Sequence, residues 1–366
     1  MIAAPHHENQ QEDTTMQYRY LGRSGLMVSR VCLGTMAFGM KDWGCNQDVA
    51  TKMVGKFVEG GGNFIDTADI YSTGVSEEMV GKAIEGHNRD ALVIATKVWF
   101  RMNPAPTARG LSRKHIMEAA DASLRRLGTD YIDLYQVHGY DYFTPLDETM
   151  RALDDLVRAG KVRYLGCSNY YAWQIVKANA IADQAQLTRF VSGQHMYNLV
   201  RRDIEREILP ACADQGMSML SWSPLASGFL SGRYKRDEAL PEGSRISFRK
   251  NIDIPRYFND TGFALVDAVK VVADETGKTP SQVALAWLLH DRRVAAVLIG
   301  PRHVEHMEEN LVVGDWNLTD EQHEQLSNIV TFPHGYPLDW IDLSWPNIAG
   351  GEEFEPPHYR HVRDRR

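Results

Sequence analysis

The sequence predicts a closed barrel of eight parallel strands, each followed by a helix, and three features carry that expectation. Eight short apolar, β-rich runs alternate with helical patterns along the chain. The runs are too apolar to alternate in and out, as parallel strands covered on both faces must be. No G-x-G-x-x-G follows any of them, and the glycine triplet at 60–62 precedes a strand instead, which disfavours an open doubly wound sheet. Barrels of this kind run to ~250 residues and accept insertions, so a chain of 366 residues fits one domain.

In chain order the strand candidates are VCLG (31–34), NFID (63–66), LVIATK (92–97), IDLYQVH (132–138), VRYLGCS (162–168), FVSGQ (190–194), MSMLSWS (217–223) and AAVLIG (295–300). Between them, residues 112–127 place Ile116, Ala119, Ala120, Ser123, Leu124 and Leu127 at the spacing of one helix face. Thr279 before Pro280 marks another helix start, because the hydroxyl caps the first turn and proline lacks the N–H that would go unpaired there. Residues 1–15 read as a polar tail, 16–330 as the barrel, and 331–366 as an extension carrying Tyr336, Trp340, Trp345 and Phe354. Aromatic residues of that kind are expected to pack on the protein, over the pocket, around the barrel or in a subunit contact, so a homo-oligomer stays open.

Hydrophobic residues make up 43% of the chain and charged residues 24%, the composition of a soluble globular protein with a large core. Forty Lys and Arg against 48 Asp and Glu leave a net charge of -8, without a dense basic run in the folded region. Nucleic acid and anionic membrane are therefore poor partners, and a small molecule is expected. Cys32, Cys45, Cys167 and Cys212 form no C-x-x-C and are too few for a disulfide framework, which fits a cytoplasmic protein. Residues 1–15 lack the features of a signal peptide, and no apolar run approaches the ~20 residues of a spanning helix. The 13 histidines show no H-x-H or H-x-x-E-H spacing, so no metal is expected.

Chemistry on such a barrel sits at the carboxyl ends of the strands. Those ends carry Asp66 with Tyr71 just beyond, Lys97, His138, Ser168 with Asn169, Gln194, Trp222 with Ser223, and Gly300. Each has a plainer reading alone: a turn acid, a half-buried aromatic, a solvated strand end, a satisfied rim histidine. Cys167 reads as a small buried side chain without a role. Convergence on one rim is what turns the set toward chemistry.

Seven segments in order, RYLGRSGLMVSRVCLGTMAFG, FIDTADIY, ATK, QVHGYD, GKVRYLGCSNY, LSWSPLASGFLSGRY and IGPRHVEHMEENL, together resemble the aldo-keto reductase superfamily over about residues 17–330. The SWSPLASGFLSG stretch is similar to the branch that includes potassium-channel β-subunits and bacterial glyceraldehyde-phosphate or sugar-aldehyde reductases. The resemblance implies that Asp66, Tyr71, Lys97 and His138 are the catalytic four. Hydride reduction of a carbonyl leaves an alkoxide, and Tyr71 would supply its proton. A free phenol, with a pKa near ~10, is a reluctant acid; the Lys97 ammonium would stabilise the phenolate left behind, lowering that pKa, and Asp66 would keep the lysine charged. His138, as a neutral imidazole, would hold the substrate oxygen.

The same resemblance implies NADP(H). Trp222 would stack on the nicotinamide, Ser168, Asn169 and Gln194 would hold its carboxamide, and Gly34, Thr35, Met36 and Asp66 would border its ribose. Ser223, Pro224, Leu225, Ser227, Gly228, Arg233 and Arg245 would follow the pyrophosphate, and Gly300, Arg302, His306, Glu309 and Asn310 the adenosine end. Arg302 could present its planar fork to a 2′-phosphate, which favours NADPH over NADH, whereas His306 departs from the longer or charged side chains of many relatives. Phe38, Trp99 and Tyr140 would wall the pocket of a carbonyl substrate. A nicotinamide-binding regulatory subunit of slow turnover is the alternative, and a lyase or isomerase on the same barrel a third.

Overall fold

The computed structural model describes residues 16–330 and 335–348. A two-stranded antiparallel hairpin, β1 (Tyr18–Tyr20) and β2 (Met27–Ser29), opens the described chain. Eight parallel strands follow: β3 (Val31–Gly34), β4 (Phe64–Asp66), β5 (Val93–Val98), β6 (Ile132–Val137), β7 (Val162–Ser168), β8 (Phe190–Met196), β9 (Ser218–Trp222) and β10 (Val294–Ile299). They close into a barrel in sequence order, with β10 paired to both β9 and β3. Each expected strand is present within one or two residues.

The hairpin is the element that periodicity misses, since three-residue strands carry too little pattern. Its Leu21 and Val28 are buried with Phe64, Leu134 and Leu220 in the cluster that fills the barrel. Gly22, at φ +60, comes so close to the carbonyl oxygens of Val191 and Gly216 that a Cβ there would sit 2.4 and 2.7 Å from them. The hairpin thereby plugs the amino end of the barrel, and the carboxyl end is left for a site.

The outer core lies between the strands and the helices around them, where Val31, Ile65, Ile94, Val137 and Leu165 are buried. The helix expected over 112–127 spans Arg113–Leu127, with Ser112 capping the N–H of His115 and Gly128 ending it at φ 63. The helix Pro280–His290 begins with a reciprocal cap between Thr279 and Gln282. Beyond the barrel lies a helix Leu338–Ile348, and Tyr336 and Trp340 are exposed at 84% and 59%, so these two rings do not pack over the pocket or around the barrel. The tail 1–15 and Phe354 lie outside the described residues.

Candidate active site

Strand register brings the polar ends together. Gly34 is paired with Asp66, Asp66 with Ala95, Lys97 with Gln136, Gln136 with Gly166, and Ser168 with Gln194. Residues two apart on a strand share a face, so Asp66, Lys97, Gln136 and Gln194 meet on the same side of the barrel wall. Lys97 is fully buried, and its Nζ donates to Asp66 Oδ2 at 2.5 Å, to the Thr67 carbonyl at 2.8 Å and to the Tyr71 hydroxyl at 3.4 Å. The other Asp66 oxygen accepts from Gln136 Nε2 and Gln194 Nε2, both at 2.9 Å. Gly166 leaves the room this needs, because a Cβ there would stand 3.1 Å from the Gln136 side chain.

These contacts set the charges. Burial works against the Lys97 ammonium, but Asp66 and the Tyr71 oxygen outweigh it and raise its pKa, so the lysine stays charged. Burial raises the Tyr71 phenol, and the opposing pull of Lys97 is the smaller effect. This departs from the expectation of a lowered phenol: burial outweighs Lys97, and the Tyr71 hydroxyl is protonated. His138 is held well below its ordinary value by burial and by Lys97, so its imidazole is neutral. Its ring lies edge-on to Tyr71 at 5.9 Å and to Phe100 at 5.0 Å.

A cleft of about 1090 Å³ opens over this group. Of the residues singled out in the sequence, all but Lys97 and Phe38 line it. Lys97 sits directly behind the wall. Phe38 is fully buried in the outer core instead, because its backbone turns back onto Thr35 and drives the ring inward. Met36, Met40 and Trp43 take its place on the cleft wall, while Trp99 and Tyr140 line it as expected.

Along the cleft, Ser168 Oγ donates to the Gln194 carbonyl at 2.8 Å, and Trp222 Nε1 reaches Asn169 Oδ1 at 3.3 Å, which ties the indole across the rim. Left-handed backbone gathers here: Asn169 (φ 57), Ser223 (φ 54), Ala226 (φ 50), Ser227 (φ 59) and Gly228 (φ 89). For the four residues other than glycine such conformations cost about 1 to 3 kcal/mol each, and they concentrate at ligand sites. Arg245 stands 5.4 Å over the Trp43 ring with its buried Nε unpartnered, and burial followed by Arg249 lowers its pKa. Further on, Arg233 Nε donates to Ser231 Oγ at 3.0 Å and Arg302 Nη1 to the Gly243 carbonyl at 2.8 Å. His306 is lowered by burial and then by Arg233, with His303 and Arg302 adding to the effect, which places these cations close together. Glu309 accepts from Thr279 Oγ1 at 2.7 Å, and Asn310 Oδ1 is buried without a partner. Pro224, Leu225 and Gly300 complete the wall. The unpartnered Arg245 and Asn310 atoms and the gathered cations fit an anionic dinucleotide.

Gln136, Trp43, Arg249 and Asp253 escape the sequence reading. Gln136 stands two residues before His138 on the same strand face, so the period of two could have found it. Trp43 and Arg249 sit in a turn and a bend, where no period applies, and Asp253 lies on the short helix Lys250–Tyr257, too short for its period to single one residue out.

The fold and site are a closed eight-stranded barrel with an ammonium-backed phenol and a neutral imidazole at one end of a long cleft. The Aldo/keto reductase family model matches residues 30–331, and the chain belongs to that family of oxidoreductases, which generally use nicotinamide cofactors on small carbonyl substrates. It is 38% identical to an uncharacterized oxidoreductase, YrpG, of Bacillus subtilis, over 87% of this chain and 98% of that one. It is 37% identical to a probable voltage-gated potassium channel subunit beta of Arabidopsis thaliana, over 82% and 92%. An aryl-alcohol dehydrogenase [NADP(+)] of Phanerodontia chrysosporium is 36% identical over 93% of both chains. Among the described residues, no helix is long and apolar enough to cross a membrane.

Proposed function

We propose that this protein reduces an aldehyde or ketone to the alcohol with NADPH, and that Tyr71 donates the proton. The carrying observation is the Lys97 ammonium set between Asp66 and the Tyr71 hydroxyl at the cleft wall, beside a neutral His138. The cofactor supplies the hydride when bound. The chain's residues do the rest: His138 steadies the substrate oxygen, Tyr71 transfers its proton to that oxygen as negative charge develops, and Lys97 stabilises the phenolate until solvent restores the proton. Trp222, Ser168, Asn169 and Gln194 would hold the nicotinamide, Gly34, Thr35 and Met36 its ribose, and Arg245 with the 223–228 turn the pyrophosphate.

Preference for NADPH is supported by Arg233, Arg302 and His306 gathering at the far end, where a 2′-phosphate would meet them, and by the NADP(+) in the name of the aryl-alcohol relative. Four free cysteines support a reducing compartment such as the cytoplasm. The test is loss of NADPH absorbance with a panel of carbonyls, alongside quenching of tryptophan fluorescence by NADPH. Consumption with at least one carbonyl supports the reading. A regulatory subunit of slow turnover would show the quench without consumption, and a lyase or isomerase would show neither.

A further inference from the structure

Aromatic side chains along the cleft fall into two groups. The inner one flanks the reacting position: Trp99 meets Phe100 at 4.7 Å, and Phe100 meets His138 at 5.0 Å. The outer one centres on Tyr140, whose ring meets Tyr142 at 4.9 Å, Tyr170 at 5.2 Å and Trp173 at 6.0 Å, with Tyr171 beside them on the cleft wall. Gly139 joins the two, since a Cβ there would stand 3.2 Å from the Trp99 indole.

The outer rings are open yet held. Tyr142 is 71% exposed and Tyr171 60%. The loop carrying Tyr142 is fastened by Asp141, whose carboxylate accepts from Leu111 N at 2.8 Å, Phe143 N at 2.9 Å and Thr144 Oγ1 at 2.7 Å. Three donors thus hold the Asp141 carboxylate and fix the loop that presents Tyr142. Fixed aromatic surface left in water, continuous with a cleft, is the mark of a ligand contact.

We infer that the outer group is a substrate subsite, and that the carbonyl substrate is a planar aromatic of two or more fused rings whose far ring lies against Tyr140, Tyr142 and Tyr171. This rests on the carbonyl-reductase reading above. Phe100 packs on His138, whereas the outer rings pack on one another around Tyr140, so a substrate whose carbonyl sits at Tyr71 and His138 touches the outer group only by extending past the inner pair.

The experiment compares benzaldehyde, 2-naphthaldehyde and a four-carbon sugar aldehyde in the wild type, the Tyr142→Ala/Tyr171→Ala double variant and Phe143→Ala. Phe143 is the internal control, on the same loop, 98% exposed and off the cleft wall. The double variant should raise KM for 2-naphthaldehyde by about 10-fold and for benzaldehyde by less than about 2-fold, with Phe143→Ala neutral. Equal rises for the two aldehydes, no rise, an equal effect of Phe143→Ala, or a wild-type preference for the sugar aldehyde would each overturn the inference. Equilibrium binding of 2-naphthylmethanol, which needs no turnover, separates the two readings. Binding unchanged in the double variant overturns the subsite; binding that the variant weakens, in a protein that consumes no NADPH with any aldehyde, overturns only the reductase reading.

Discussion

The two ends of the cleft are built in opposite ways. At the end formed by β4, β5 and β6, the charged groups satisfy one another: Lys97 bonds Asp66, Thr67 and Tyr71, and Asp66 bonds Gln136 and Gln194, while His138 Nδ1 is buried without a partner. At the end formed after β9 and β10, Arg245 Nε and Asn310 Oδ1 are buried without partners, and cations crowd together. The first arrangement stands ready without a ligand, because chemistry needs its donor already aimed. The second leaves polar groups unpaired in the protein alone, which is what the proposed function asks of a site for an anionic cofactor. On the proposed function, preorganisation at one end and unmet polar groups at the other would divide catalysis from binding.

Breaking the preorganised end should give the largest effect. Tyr71→Phe removes one oxygen and keeps the ring, so kcat should fall ~10² to 10⁴-fold while quenching by NADPH stays near wild type. Lys97→Met should match it, and the double variant should be about as slow as the worse single one, since groups acting as a unit share one contribution. Full activity in Tyr71→Phe would place the donor elsewhere. Because burial holds the phenol above its ordinary value, kcat for reduction should stay level from about pH 6 to about pH 9.

Next comes the unsatisfied end. Charge-assisted contacts are worth about 1.5 to 3 kcal/mol, so Arg302→Ala should raise the Kd for NADPH about 10- to 100-fold and leave NADH nearly unchanged. Titration with both cofactors checks this, and equal weakening would remove Arg302 from the 2′-phosphate.

Asp69, with His138, is where the comparison fails, for it belongs to the preorganised end yet both its buried carboxylate oxygens lack partners. Burial, followed by repulsion from Glu77, pushes it from 3.8 up to about 8. Between those values the fold holds a proton that the unfolded chain has released, so stability falls as pH rises from about 4 to about 8 and then levels. Asp69→Asn should remove that loss, stabilising the protein by on the order of 5 kcal/mol at pH ~8 and little at pH ~4, at about 1.36 kcal/mol per pKa unit. Denaturant titration at the two pH values reads the difference, and a gain independent of pH would mean that Asp69 is already satisfied.

The smallest effect tests how much support Asp66 needs. Gln136→Leu removes one of its two amide donors, and kcat should fall about 5-fold with cofactor affinity unchanged. A loss as large as that of Lys97→Met would make Gln136 essential to the ammonium's placement.

Much of this was legible in the sequence, for physical reasons. Eight apolar runs, each flanked by a helical pattern, leave a parallel closed sheet as the way to cover both strand faces, and the strand ends then name Asp66, Lys97 and His138. Tertiary structure decided the rest. The Tyr71 phenol is raised because burial exceeds the pull of Lys97, a balance set by everything around the ring. Phe38 turned into the core because its backbone doubles back on Thr35. Arg245 met Trp43 because two loops after β9 and β3 approach across the cleft. Periodicity reports which face of an element is buried; it is silent on how deeply a group is buried and on which distant loop it meets, because those depend on three-dimensional packing between segments far apart in the chain.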